Sequence, residues 1–321
     1  MLPALFNPSN DMALAVNLRR YVPPRRIRQM EEDLCGLSRL WKEGPWGWSA
    51  ATKERYRKMN IAADELPGDE WLAEVRRLSN RKWAAEYYHT LTERLNEWRE
   101  RLVPCRVRYV CESGELDTAG GPLMEKTPWS SSGRGNFIVD DTPARHPTRN
   151  PAVRQRIEAC IREQGGVVAE PFYANKALDF AMEFQVENGT ADNRKTSVRF
   201  IGYSVFSTDE TGHYGGNYVE SQEELLRRID LPRSLLQALI DYHCEALSPL
   251  SYRGPVGIDM MRLADGRVHP CVEINFRMTM GLLALQLYDK GITADQRLAG
   301  VPEHGFEACI RRGQLVIAFH P

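Results

Sequence analysis

Apolar and polar residues alternate most cleanly in two stretches of the chain. In the first, Leu178, Phe180, Met182 and Phe184 take every second place, with Asp179, Ala181, Glu183 and Gln185 between them. A period of two predicts a strand with one face in a core and the other turned to something polar. Residues 198–207, VRFIGYSVFS, follow a polar turn at Gly189–Thr196 and predict its antiparallel partner. In the second stretch, Val268–Gly281, Val272, Ile274 and Phe276 alternate with Glu273, Asn275 and Arg277. The residues before it, PVGIDMMRL, run into Ala264-Asp265-Gly266, and an Asp-Gly turn between alternating segments predicts a hairpin. Asp259 on one arm then faces Glu273 on the other. Two carboxylates so placed repel each other unless a cation lies between them.

Helical spacing accounts for much of the remainder. Ile27, Met30, Leu34, Leu37 and Leu40 predict an amphipathic helix within Tyr21–Trp41. Residues 70–101 hold strong helix formers without proline or glycine, and Ser79-Asn80 divides them so that Arg81-Lys82 opens a second helix. Pro151–Gln164, one or two segments in 221–248, and Leu282–Leu287 are helical by the same pattern. Short strands are expected at Leu2–Phe6, 103–110 and 167–173, and after Leu287 there is room for little more than one closing strand. Between the first strand and its helix lies Asn7-Pro8-Ser9-Asn10-Asp11, which reads equally as helix capping or as an anion site. GPWGWS, Gly44–Ser49, reads as a packed turn or as an aromatic wall beside a pocket.

Composition narrows the class. The 321 residues are enough for two or three subdomains, and 42 basic against 43 acidic side chains give a formal charge of −1. No overall attraction to nucleic acid or to an anionic membrane follows from that balance. No run nears the roughly eighteen apolar residues that span a bilayer, and the first residues lack a signal-peptide pattern. A cytoplasmic protein with neither membrane nor nucleic acid as partner is expected. The seven cysteines are odd in number and never spaced C-x-x-C, which predicts neither a disulfide framework nor structural zinc.

Candidate chemistry gathers where the alternation placed polar residues. Glu273, Asn275 and Arg277 put an acid, an amide oxygen and a fixed cation on one strand face, with Asp259 opposite. Hard oxygen ligands suit Mg²⁺, and a guanidinium grips an anion with two prongs. An exposed strand face with an ordinary charge pair has the same local sequence. Upstream, Pro122–Asn136 delivers Lys126 and then Ser130-Ser131-Ser132-Gly133-Arg134-Gly135. Small residues in such a loop let backbone N–H groups approach an anion closely, or simply form a surface loop.

In order and role these residues resemble the ATP-grasp superfamily of ligases and kinases, over roughly residues 80–285. The resemblance implies an α+β or α/β protein whose two α+β subdomains close on ATP, preceded by a small Rossmann-like α/β domain. By that likeness residues 1–78 are the N-terminal domain, 79–170 the subdomain with a phosphate flap, and 171–321 the subdomain with the metal-binding hairpin. ATP and Mg²⁺ are the implied cofactors. Lys82 and Lys126 would meet phosphate oxygens, under a flap of Ser131, Ser132, Gly133, Arg134 and Gly135. Glu170, Pro171 and Phe172 would form the adenine hinge, and Asp179 would take the ribose. Asp259, Glu273 and Asn275 would be the metal ligands, while Arg277, with Lys126, would act on the reacting group. The implied activity is a ligase that activates a substrate carboxylate as an acyl phosphate for attack by an amine or similar nucleophile, both being small molecules or peptides. A small-molecule kinase, or a nucleotide- or peptide-binding module without turnover, is the alternative on the same fold. A homodimer is one assembly open to it.

Overall fold

The structure is a computed structural model that describes residues 2–41, 43–115, 120–130, 135–146, 149–188, 196–209, 213–301 and 303–321. The chain begins with helices rather than with an α/β layer: α1 (Asn10–Val16), α2 (Arg25–Asp33), α3 (Ala50–Lys58) and α4 (Asp69–Leu78). The strand expected at Leu2–Phe6 is reduced to one parallel bridge between Leu5 and Pro45. Proline at positions 3 and 45 removes the donors a ladder would need, so the pairing does not propagate. Among the described residues the expected Rossmann-like arrangement is therefore absent from this segment.

Helix α5 (Arg81–Arg94) follows, opened by Asn80, whose side chain accepts from the Lys82 N–H. Next come β1 (Arg108–Val110), β2 (Leu123–Lys126), β3 (Phe137–Val139), α6 (Pro151–Gln164) and β4 (Val167–Pro171). The strands form an antiparallel sheet in the order β1-β4-β2-β3. Ile157 and Cys160 of α6 close one face of it against Val110, Val167 and Ala169.

The alternation at Leu178–Gln185 lies at the centre of a larger sheet. Its elements are β5 (Lys176–Glu187), β6 (Ser197–Thr208), β7 (Tyr214–Tyr218), α7 (Gln222–Ile229), α8 (Arg233–Leu247), β8 (Gly254–Leu263), β9 (Val268–Asn275), α9 (Met280–Asp289), β10 (Gln296–Gly300), β11 (Gly305–Arg311) and β12 (Gln314–His320). The eight strands run antiparallel in the order β10-β11-β12-β7-β6-β5-β8-β9. Phe180, Met182 and Phe184 bury one face with Leu91 of α5, Leu239 of α8, and Ile258 and Ile274 of the hairpin. By the same period, Asp179, Ala181 and Glu183 turn to the other face. The chain ends in three strands where one was expected. Arg312 and Gly313, both at positive φ (51° and 73°), make the two-residue turn between β11 and β12. The partner that admits these strands to the sheet is β7, through Gln314–Tyr218 and Leu315–Asn217, a pairing no local pattern announces.

A second core joins the N-terminal helices to this sheet. Phe6, Trp41 and Trp46 pack with Leu282, Leu283 and Leu287 of α9 and with Phe306 of β11. The two indoles of GPWGWS are thus divided: Trp46 sits edge-on to Phe6 with ring centroids 5.3 Å apart, while Trp48 packs on Tyr56 and Trp71. All seven cysteines are free. No helix among the described residues is long and apolar enough to cross a membrane.

One buried side chain sits at odds with its surroundings. Glu125 lies opposite Ala169 and Phe137, both of the α6-facing core, and neither of its oxygens has a partner. Burial pushes its carboxyl up to about 8; Arg108 opposes that shift and Glu170 adds to it. A carboxyl whose folded value lies above its unfolded value binds more protons when folded, so its contribution to stability is lost as pH rises from about 4.5 to about 8. Glu125→Gln is expected to abolish that loss: its urea midpoint at pH 9 exceeds the parent's, and the difference shrinks toward pH 4.

Candidate active site

The polar face of β5, β8 and β9 floors a cleft of about 880 Å³, and Met124, Lys126 and Glu170 of the four-stranded sheet contribute to its walls. Asp259 and Glu273 are directly paired across the β8–β9 hairpin, as the Asp-Gly turn predicts. Asn275 donates from Nδ2 to Asp259 Oδ2 at 3.1 Å, and Glu273 Oε1 accepts from Arg81 Nη2 at 2.7 Å. Burial raises the Asp259 carboxyl well above its ordinary value, Glu273 and Glu183 raise it further, and Arg277 and the Asn275 amide oppose them. Glu183 is the third acid on this floor. It accepts from Ser204 Oγ at 2.9 Å and from Thr279 Oγ1 at 3.0 Å. Burial pushes its pKa up to about 7 against those two donors and Arg277. Its carboxylate fills space that only Gly257 and Gly281 leave open, since a Cβ on either would run into it.

The cations come from elsewhere in the chain. Lys82 is exposed, its Nζ 5.1 Å from the centre of the Tyr109 ring, and it does not line the cleft. Its neighbour Arg81 is the buried side chain, donating to Ser130 Oγ at 2.8 Å and to Thr127 O at 2.6 Å as well as to Glu273. One residue on a helix turns the side chain by about 100°, so the basic pair Arg81-Lys82 sends one member inward and one to solvent. Lys126 lines the cleft and pairs with Glu170 at 2.5 Å. Burial works against the charge of Glu170, but Lys126 and His269 more than reverse it and lower the carboxyl to about 2.

Pro171, Phe172 and Asp179 also line the cleft. The hinge expectation needs adjustment, because Pro171 has no N–H and the Phe172 N–H already donates to Pro122 O at 2.8 Å. Asp179 accepts from Lys176 Nζ at 2.7 Å and Thr208 Oγ1 at 2.6 Å. Ser131, Ser132, Gly133 and Arg134 lie outside the described residues, while Gly135 lies against Thr127.

Arg277 reaches back to the start of the chain. Its Nε donates to Asp11 Oδ2 at 2.9 Å, its Nη2 lies 2.9 Å from the same oxygen, and its Nη1 donates to Met278 O. Burial disfavours the guanidinium charge, but Asp11 and Glu273 outweigh it and raise the pKa. The segment NPSND therefore supplies no side-chain cap to α1, and its Asp11 is taken up by Arg277. Ser9 donates to Glu31 at 2.6 Å instead of capping α1, and Asn7 exchanges bonds with Gly47. Glu183, which lines the cleft, and Arg81 and Asp11, which hold its lining residues Glu273 and Arg277, are the residues that sequence reasoning passed over. Only Glu183 carried a signal, its place on the polar face of an alternating strand.

No model of a known protein family matches the chain, and no curated protein matches it. Among solved structures it is similar to the L-amino acid ligase from Bacillus licheniformis, with 18% identity and a TM-score of 0.41 over 72% of this chain and 47% of that one. It is similar to D-alanyl-alanine synthetase A from Vibrio cholerae, with 15% identity and a TM-score of 0.43 over 68% of this chain and 60% of that one. A biotin carboxylase–β-γ-ATP complex from Campylobacter jejuni gives 12% identity and a TM-score of 0.49 over 78% of this chain and 50% of that one. The chain spans about half the length of several of the solved structures to which it is similar.

The Asp11–Arg277 pair is buried at both ends, with side-chain exposures of 11% and 13%. Removing one partner from such a pair costs about 3–5 kcal/mol, because the other charge is left without compensation. Asp11→Asn is expected to lower unfolding stability by that amount in urea titration, and Asp11→Asn/Arg277→Gln to recover part of it. A single variant as stable as the parent would mean that the pair is solvated.

Proposed function

We propose that the chain is an ATP- and Mg²⁺-dependent ligase that activates a substrate carboxylate as an acyl phosphate for capture by an amine or similar nucleophile. The observation that carries this reading is the direct pairing of Asp259 with Glu273, beside Asn275, on the floor of a cleft that Lys126 and Arg277 also line. Two half-buried acids so placed repel each other, and Arg81 answers the charge of Glu273 alone, so a cation beside Asp259 would be favoured. The described residues hold no group of three or more His, Cys, Asp or Glu side chains arranged to bind a metal. Two carboxylates and an amide instead suit an ion that keeps part of its shell for phosphate and water, as Mg²⁺ does. When bound, such an ion neutralises phosphate oxygens and favours displacement at phosphorus.

The protein's own groups do the rest by position and charge. Lys126, fixed by Glu170, offers its ammonium to the nucleotide side of the cleft. Arg81 holds Glu273 by one oxygen and so leaves the other for a ligand. Arg277, fixed by Asp11, holds the substrate carboxylate. This chemistry needs no protein nucleophile, because positioning and charge stabilisation supply most of the acceleration.

Release of ADP and phosphate only when a carboxylic acid and an amine are both present is the expected assay result; a stable phosphorylated product formed without an amine would favour a kinase. Asp259→Asn should separate function from folding. The substitution relieves a buried repulsion, so thermal stability without Mg²⁺ is equal to or above the parent's, while turnover falls on the order of 100-fold. Turnover at the parent's level would overturn the metal assignment.

A further inference from the structure

The cleft changes character past Arg277. Its walls there are Met12, Ile27, Met30, Trp46, Met280 and Phe306, contributed by α1 and α2, the turn before α3, the start of α9 and β11. These residues are tied to the arginine by short links. Met12 follows Asp11 in α1, the Met278 N–H donates to Trp46 O at 2.8 Å, and the Phe306 N–H donates to Asp33 Oδ2 at 2.8 Å at the end of α2. Among the described residues, the acid of the cleft set against this wall is Glu183, which lies behind Gly281. Arg26 also lines the cleft, its guanidinium 4.3 Å from the centre of the Phe319 ring.

The arginine itself is prepared for a carboxylate. Of its five N–H groups, Asp11 faces Nε and Nη2, and Met278 O takes one on Nη1. Among the described residues no bond is given to one N–H on each of Nη1 and Nη2, and a guanidinium can offer two N–H groups to a carboxylate.

We propose that this chamber is the acyl site of the reaction and that it selects a monocarboxylic acid bearing an apolar group, with the carboxylate on Arg277 and the apolar group among Met12, Trp46 and Met280. The proposal rests on the ligase reading. The physical ground is that an apolar group covered by Met12, Trp46 and Met280 is removed from water, while a polar group set against them would lose its water without a hydrogen bond in return. An apolar pocket gains about 10-fold in affinity for each methylene it covers.

The test uses the full chain with Mg²⁺ and a nonhydrolysable ATP analogue, titrated calorimetrically with acetate, succinate, 4-methylpentanoate and 3-phenylpropanoate, and repeats the four acids without nucleotide. The two apolar acids are expected to bind at least 10-fold more tightly than acetate or succinate. Met12→Lys and Met280→Lys, at half-buried positions, should each remove that preference while leaving the Kd of the ATP analogue unchanged. Equal affinity for acetate and 3-phenylpropanoate, tighter binding of succinate, or an apolar preference that survives both variants would overturn the proposal. Failure of the ATP analogue to bind would sink the ligase reading instead, and the titrations without nucleotide would still decide the chamber's selectivity.

Discussion

Repulsion among Asp259, Glu273 and Glu183 is the constraint that the architecture around the cleft answers. At an effective dielectric of about 20, two like charges 4 Å apart cost about 4 kcal/mol, and these three acids share one sheet face. The fold meets that cost in several ways. Arg81 neutralises Glu273 from helix α5, two hydroxyls and Arg277 moderate Glu183, and Asp259 retains a carboxyl raised well above the ordinary range. Burial is the larger cause of that shift and the neighbouring acids add to it, which distinguishes the cleft floor from an exposed strand face with an ordinary charge pair.

The N-terminal helices complete the cleft rather than stand apart from it. They share a core with α9 and β11, and they send Asp11 to Arg277. Apolar packing gives that attachment its strength, since the burial of Phe6, Trp41 and Trp46 is not directional. The ion pair gives it register: one buried carboxylate fixes the plane and reach of one buried guanidinium. Covering an arginine in this way costs solvation on both partners, which a merely structural contact could have avoided with two apolar side chains.

Much of the large sheet is legible along the chain. The period of two in Leu178–Gln185 and Val268–Arg277, with the Asp-Gly turn, placed Asp259 opposite Glu273, and the structure has them as direct partners. Helix α6 follows its pattern to the residue, from Pro151 to Gln164. The failures have physical causes of their own. Leu2–Phe6 has the composition of a strand, but its neighbour in space offers a proline. The last three strands depend on an edge that β7 presents from a hundred residues away, and Arg81 rather than Lys82 is buried because helical phase depends on which face the sheet covers.

Local alternation and turn chemistry were enough to specify strands, hairpin register and the acids that share a face, because each of these is decided within a few residues. The partner of each charge was not specified in that way. Asp11 and Arg277 are 266 positions apart, and Arg81 and Glu273 are 192 apart. An ionised side chain takes whatever opposite charge the packed elements bring within reach. Its spacing along the chain carries no record of that choice, so the wiring of the cleft and the apolar chamber beyond Arg277 belong to the tertiary structure alone.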